Sequence, residues 1–196
     1  MRLSPDVIAE AYRLACLDEL RAPKAGNVHD FSDGHGMTVG DFEISADVTK
    51  DWIARAGAKV GERVRGAIAA TRKAVDANTN LGIVLMSAPI ACAAERDGME
   101  DLQRSVGRVL DTLDVEDADA VFQAIVLAAP AGLGEAAEND VRAPASVTLR
   151  LVWISAAARR AASAAAAPCS RKICVSGKAD IIAKCTAAVA HDQSFH

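Results

Sequence analysis

Side chains able to do acid–base, phosphate or metal chemistry crowd into one short stretch of this chain, Lys24 to Asp41, with Gly26, Gly34 and Gly36 set among them. His29 and His35 stand six positions apart and can act as a base or ligate metal. Without a third ligand at a fixed spacing they do not compose a zinc site. Asp30, Asp33 and Asp41 can hold Mg²⁺, which takes one or two carboxylates together with substrate phosphates. Asp41 also completes a Thr38-x-x-Asp41 capping box. Lys24 can hold a phosphate or be a solvated lysine. Further on, Asn78 and Thr79 can bind ribose hydroxyls or phosphate, cap a helix, or do both. Glu135 and Asp140 follow Gly134, where a ligand role and a favourable place in the first turn of a helix are alternative readings.

Positioning such residues requires elements whose ends converge. Ser4-Pro5 opens a first helix with a capping hydroxyl and a proline at the first helical position, and Val7, Ile8, Ala11, Leu14 and Ala15 follow its period. Ala22-Pro23 ends it, and the polar stretch up to Met37 reads as a long functional loop. A second helix is expected from Val39, presenting Phe42, Ser45 and Val48, with its end blurred by Gly57 and Gly61. A third carries Val60, Val64, Ala67 and Ile68. The polar run Asp76 to Asn80 then precedes an apolar helix, Leu81 to Ala94. Asp97-Gly98 is a turn. Leu102, Val106 and Leu110 mark one more amphipathic helix, Val115, Ala118, Val121, Phe122 and Ile125 another, and Pro130 to Gly134 breaks the pattern. Neither an internal repeat nor a period-2 hairpin pattern is visible, so the fold class is all-α, a multi-helix array with functional loops at helix ends. The four polar clusters, 24–30, 33–41, 78–82 and 132–140, each fall at an expected helix end, where orphan N–H groups and the helix dipole favour phosphate or carboxylate.

Composition agrees with this architecture and excludes several functions. Of 196 residues, 51% are hydrophobic but only 4% aromatic, so the core is built from Ala, Val, Leu and Ile. A domain of this length buries roughly 70% of its unfolded surface and needs no staple. Five cysteines, none in a C-x-x-C pair, argue against a closed disulfide framework. Cys16 and Cys92 fall in apolar surroundings and read as core. Leu81 to Ala94 contains Pro89 and is shorter than the roughly 20 residues of a membrane span. With Asp6 and Glu10 at the N-terminus in place of a basic start and long apolar core, the expected location is cytoplasmic, with no membrane partner. A net charge of −4 gives no support for nucleic-acid binding.

Four phrases carry a family resemblance. Lys24-Ala25-Gly26-Asn27-Val28-His29 resembles the Lys-Pro-Gly-Asn-Val-His phrase of the triphosphoribosyl-dephospho-CoA synthases. Gly34-His35-Gly36-Met37 with Phe42 and Ser45-Ala46 is similar to that family's Gly-x-His…Asp-Met…Phe-x-x-Ser. Asn78-Thr79-Asn80-Leu81-Gly82 resembles its Asn-Thr-His-Lys-Gly, and Gly134-Glu135-Ala136 sits where a Gly-Glu phrase follows. The order is kept over residues 1–142. The resemblance implies an all-α transferase in which the 2′-hydroxyl of 3′-dephospho-CoA attacks the ribose C1 of ATP and expels adenine, giving 2′-(5″-triphosphoribosyl)-3′-dephospho-CoA. It implies Mg²⁺ as cofactor and nucleotides as partners. In the same terms, His29, His35 and Asp33 are catalytic; Lys24, Gly26, Asn27, Asn78, Thr79 and Gly82 bind the nucleotide; Asp30, Asp41 and Glu135 bind metal. The chain departs from the family at Ala25 for proline, Gly36 for aspartate, and Asn80-Leu81 for His-Lys. Those departures leave open a related ribosyl or phosphoribosyl transferase of another cofactor pathway, or a non-catalytic nucleotide-binding or helical remnant.

From Leu151 the character changes. Residues 143–196 hold seven Lys and Arg against two Asp and Glu, leaving 15 against 24 in residues 1–142. The expected organisation is therefore an incomplete helical transferase-like domain over 1–150 and an anomalous basic, Ala- and Cys-rich tail over 151–196. That tail reads as a frame-altered or non-native terminus, with an ordinary basic Ala-rich helix as the alternative reading. A domain so shortened exposes apolar surface, and self-association into a homo-oligomer is expected.

Overall fold

A computed structural model describes residues 2–22, 28–29, 36–99, 101–130, 133–134, 136 and 139–153. Six helices follow in order: α1 (Pro5–Arg21), α2 (Val39–Ile53), α3 (Val60–Val75), α4 (Leu81–Asp97), α5 (Leu102–Asp111) and α6 (Val115–Ala128), and another helical turn begins at Leu149. The architecture is all-α. Among the described residues only His29 and Met37 take isolated bridge positions, and there is no strand. No described helix is long and apolar enough to cross a membrane.

The helix starts are local chemistry. Ser4 accepts from the Val7 amide at the head of α1, where Pro5 has no N–H to leave unpaired. At α2 the Thr38–Asp41 box forms in both directions: the Asp41 amide donates to Thr38 Oγ1 at 3.4 Å, and the Thr38 amide donates to Asp41 Oδ2 at 2.8 Å. Asp114 and Asp117 repeat the device at α6. Asp76 (φ 48°) ends α3 in the left-handed region that asparagine and aspartate tolerate.

α3 is the central element. It packs against α2, α6 and α4, while α1 lies on α2 and α5 on α4. Val60, Val64, Ala67 and Ile68 are buried as their period requires, against Ile53 of α2, Val84 and Ala88 of α4, and Val121 and Ala124 of α6. Two close approaches set the spacing. A Cβ on Gly66 would lie 2.1 Å from the Trp52 ring, and one on Gly61 would lie 2.7 Å from the Asp117 backbone. Small residues here let large neighbours lie flat on α3.

Three local expectations differ from the structure. Of the apolar row expected to face inward on α1, only Ile8 is buried, whereas Val7, Ala11, Leu14 and Ala15 are exposed, because the helix meets the core with the face that carries Ile8, Ala9, Tyr12, Cys16 and Leu20. Val115 is 40% exposed, because it occupies the first position of α6, ahead of the turn that meets the core. Among the described residues no helix begins between Gly134 and Asp140: Asp140 instead closes a turn, accepting from the Ala136 and Arg142 amides at 2.9 Å each. Those two bonds and the Arg142 guanidinium hold its carboxyl below the usual range.

Candidate functional site

The N-terminus of α2, the turn before α4 and the middle of α1 are joined by one chain of buried hydroxyl groups. Tyr12 of α1 is bonded to Thr49 Oγ1 at 3.1 Å, and Thr49 donates to the Ser45 carbonyl at 2.6 Å. Ser45 Oγ donates to the Asp41 carbonyl at 2.5 Å and accepts from Thr79 Oγ1 at 2.6 Å. Ser45 and Thr49 use the back-bond to the preceding turn that lets a hydroxyl sit inside a helix. Tyr12, Thr49, Ser45 and Thr79 are all buried. Burial pushes the Tyr12 phenol well above its ordinary value, so it stays neutral as a donor.

Beside this chain, Thr71 of α3 donates to Asn80 Oδ1 at 3.1 Å. Asn78 Oδ1 accepts from the Leu81 amide at 3.3 Å and thereby caps α4, while Gly82 lies half-buried in its first turn. Val28 is 4% exposed, so the end of the first polar loop is anchored in the core next to the half-buried His29.

Of the residues singled out by sequence, the structure thus links the Asp41 turn to Thr79 through Ser45, with Asn78 and Gly82 following at the head of α4. Asp41 keeps its capping role and has one carboxylate oxygen, Oδ1, outside that box. Lys24, Gly26, Asn27, Asp30, Asp33, His35 and Glu135 lie outside the described residues, as does the tail from residue 154. Among the described residues no three His, Cys, Asp or Glu side chains come together to hold a metal ion.

Sequence reading did not single out Tyr12, Thr49, Thr71 or Asn80 as participants. Their one visible signal is a polar type at an apolar-periodic position, or, for Asn80, at the last place before an apolar helix. The two described cysteines behave as core: burial raises Cys16 to about 11 and also raises Cys92.

Two other polar groupings are structural. Arg63, with no exposed surface, donates to the Ile53 and Ala58 carbonyls at 2.6 and 3.1 Å and pairs with Glu95, which also accepts from the Gly57 amide at 2.7 Å. This closes the α2–α3 connection onto α4. An open cleft of about 770 Å³ lies by the N-termini of α3 and α6. Its Lys59 is already paired with Asp114 and Glu116, and none of the described candidate catalytic, nucleotide-binding or metal residues lines it.

No curated protein and no solved structure matches this chain. A family model does: that of the ATP:dephospho-CoA triphosphoribosyl transferases, over residues 5–186. The match takes in all six helices, the polar loop between α1 and α2, the turn before α4, and most of the basic tail. The chain belongs to the ATP:dephospho-CoA triphosphoribosyl transferase family, and its chemistry is the transfer of a triphosphoribosyl group.

Proposed function

We propose that this chain binds ATP with Mg²⁺ at the end of the bundle where α2 and α4 begin, and that it transfers the triphosphoribosyl group to the 2′-hydroxyl of 3′-dephospho-CoA. In that reaction the bond between ribose C1 and the adenine nitrogen breaks, a bond from the acceptor 2′-oxygen to that carbon forms, and the hydroxyl proton leaves with adenine. The observation that carries this reading is the family match over residues 5–186. It is supported by the Asp41–Ser45–Thr79 bonding, which ties two of the motif-bearing segments into one place.

In this reading Lys24, Gly26, Asn27, Asn78, Thr79 and Gly82 hold the nucleotide. His29, His35 and Asp33 serve the attacking hydroxyl and the leaving adenine. Asp30, Asp41 and Glu135 take the metal. The donor set suits Mg²⁺, a hard cation that keeps several waters and needs few carboxylates. Asp41 can offer Oδ1, since its other oxygen accepts from Thr38. When bound, Mg²⁺ neutralises the triphosphate. In this reading the protein acts in the cytoplasm.

A thermal-shift titration with Mg-ATP on wild type and Lys24→Ala tests the assignment. Wild type should rise with ligand, and the variant should bind more weakly by the loss of one charge-assisted contact, about 1.5–3 kcal/mol, with folding nearly unchanged. Equal shifts in both remove Lys24 from the site; no shift in wild type removes ATP.

A further inference from the structure

We infer that the N-terminus of α4 binds a phosphoryl oxygen of the substrate, with the Asn80 side-chain amide as its buried donor; this rests on the reading of the chain as a nucleotide-dependent transferase. Asn80 is the N-cap residue of α4 and only 7% exposed, yet its side chain makes no capping bond. Its Oδ1 is held by Thr71 of α3, and Nδ2, the other end of the same planar group, has no acceptor. A buried amide donor without a partner is costly, and native structures rarely leave one so unless a ligand or water completes it.

The helix end around it is prepared for the same ligand. Asn78 satisfies the Leu81 amide, whereas the amides of Gly82 and Ile83 have no side-chain acceptor among the described residues. The first turn contains no acidic side chain, and Gly82 adds no side chain of its own to it. Orphan N–H groups, the positive end of a 17-residue helix and one fixed amide make a donor set that takes an anionic oxygen and offers nothing to a cation. Leu81, at the place where the family resemblance puts lysine, is half-buried against the core. The phosphoryl group is therefore held here by neutral donors in place of a cation.

Isothermal titration of the full chain with inorganic tripolyphosphate tests this, with adenosine as a control. Wild type should bind tripolyphosphate. Asn80→Ala should bind it about tenfold or more weakly through loss of one hydrogen bond to a charged group. Asn80→Asp, which keeps the acceptor for Thr71 and the shape but turns the donor into an anion, should bind more weakly still and decides the matter if the alanine variant does not fold. Adenosine binding should be the same in all three. Tripolyphosphate binding that is absent in wild type, or equal in wild type and the aspartate variant, overturns the inference. Adenine release from ATP in wild type is read separately. Release with Asn80-independent phosphate binding sinks only this inference. No release with Asn80-dependent binding sinks the transferase reading and leaves the phosphate site standing.

Discussion

At Arg63 the energetics of a single side chain dominate its surroundings. Its guanidinium is out of water and is compensated by two carbonyls and Glu95, which is itself mostly buried. Removing one partner of such a pair leaves an uncompensated charge, so Glu95→Ala should cost about 3–5 kcal/mol in urea unfolding. Glu10, which is exposed and 3.9 Å from Arg13, should be replaceable with almost no effect. Two neighbouring carboxyls at the head of α6 should titrate in opposite directions. Burial raises Asp117, although it accepts from the Gly61 amide at 2.7 Å, while the Lys59 ammonium and the Asp117 amide lower Asp114. The signs follow by linkage. The Asp114 contribution is present above its unfolded pKa and fades as pH falls through the lowered folded value. Asp117 binds its proton more readily when folded, so its contribution is greatest in acid and is lost as pH rises through the raised value. Carboxyl NMR titration checks both: a midpoint above the ordinary aspartate value for Asp117 and below it for Asp114. Equal midpoints would contradict the geometry.

At the scale of the element, what holds the helices in register is the absence of side chains at chosen points of α3. Gly66→Ala should force the Trp52 ring off the helix and cost about 1–3 kcal/mol, since the added methyl overlaps the aromatic ring, which must move aside. Chemical denaturation would show this together with a change in tryptophan fluorescence. Thr38→Ala should cost about 1 kcal/mol by removing the cap of α2. These helix starts were legible in the sequence because each is written within four residues: Ser4-Pro5, and Thr38 with Asp41. The same holds for the period of α3 and the polar knot before α4. The Arg63–Glu95 pair was not legible, because an arginine in a helix ordinarily reads as solvated and its partner lies on another helix. The hydroxyl chain from Tyr12 to Thr79 was hidden for the same reason, being long-range. At Asp140 the acidic residue after a glycine was read as a helix start, whereas the same chemistry closes a turn.

At the scale of the molecule, a helical array brings its helix ends together and leaves the chemistry to the segments between them. Family phrases in the right order identified those segments, and the match to residue 186 extends the same family into the basic stretch that composition sets apart. As a member of this family, the protein moves a triphosphoribosyl group from ATP to dephospho-CoA. The most direct measurement is chromatographic quantification of adenine from ATP and Mg²⁺, with and without 3′-dephospho-CoA, alongside the mass of the CoA product. Adenine should form only when the acceptor is present, one molecule for each dephospho-CoA that gains a triphosphoribosyl group. Adenine released regardless of acceptor, or no adenine from a protein shown to bind both nucleotides, would contradict it.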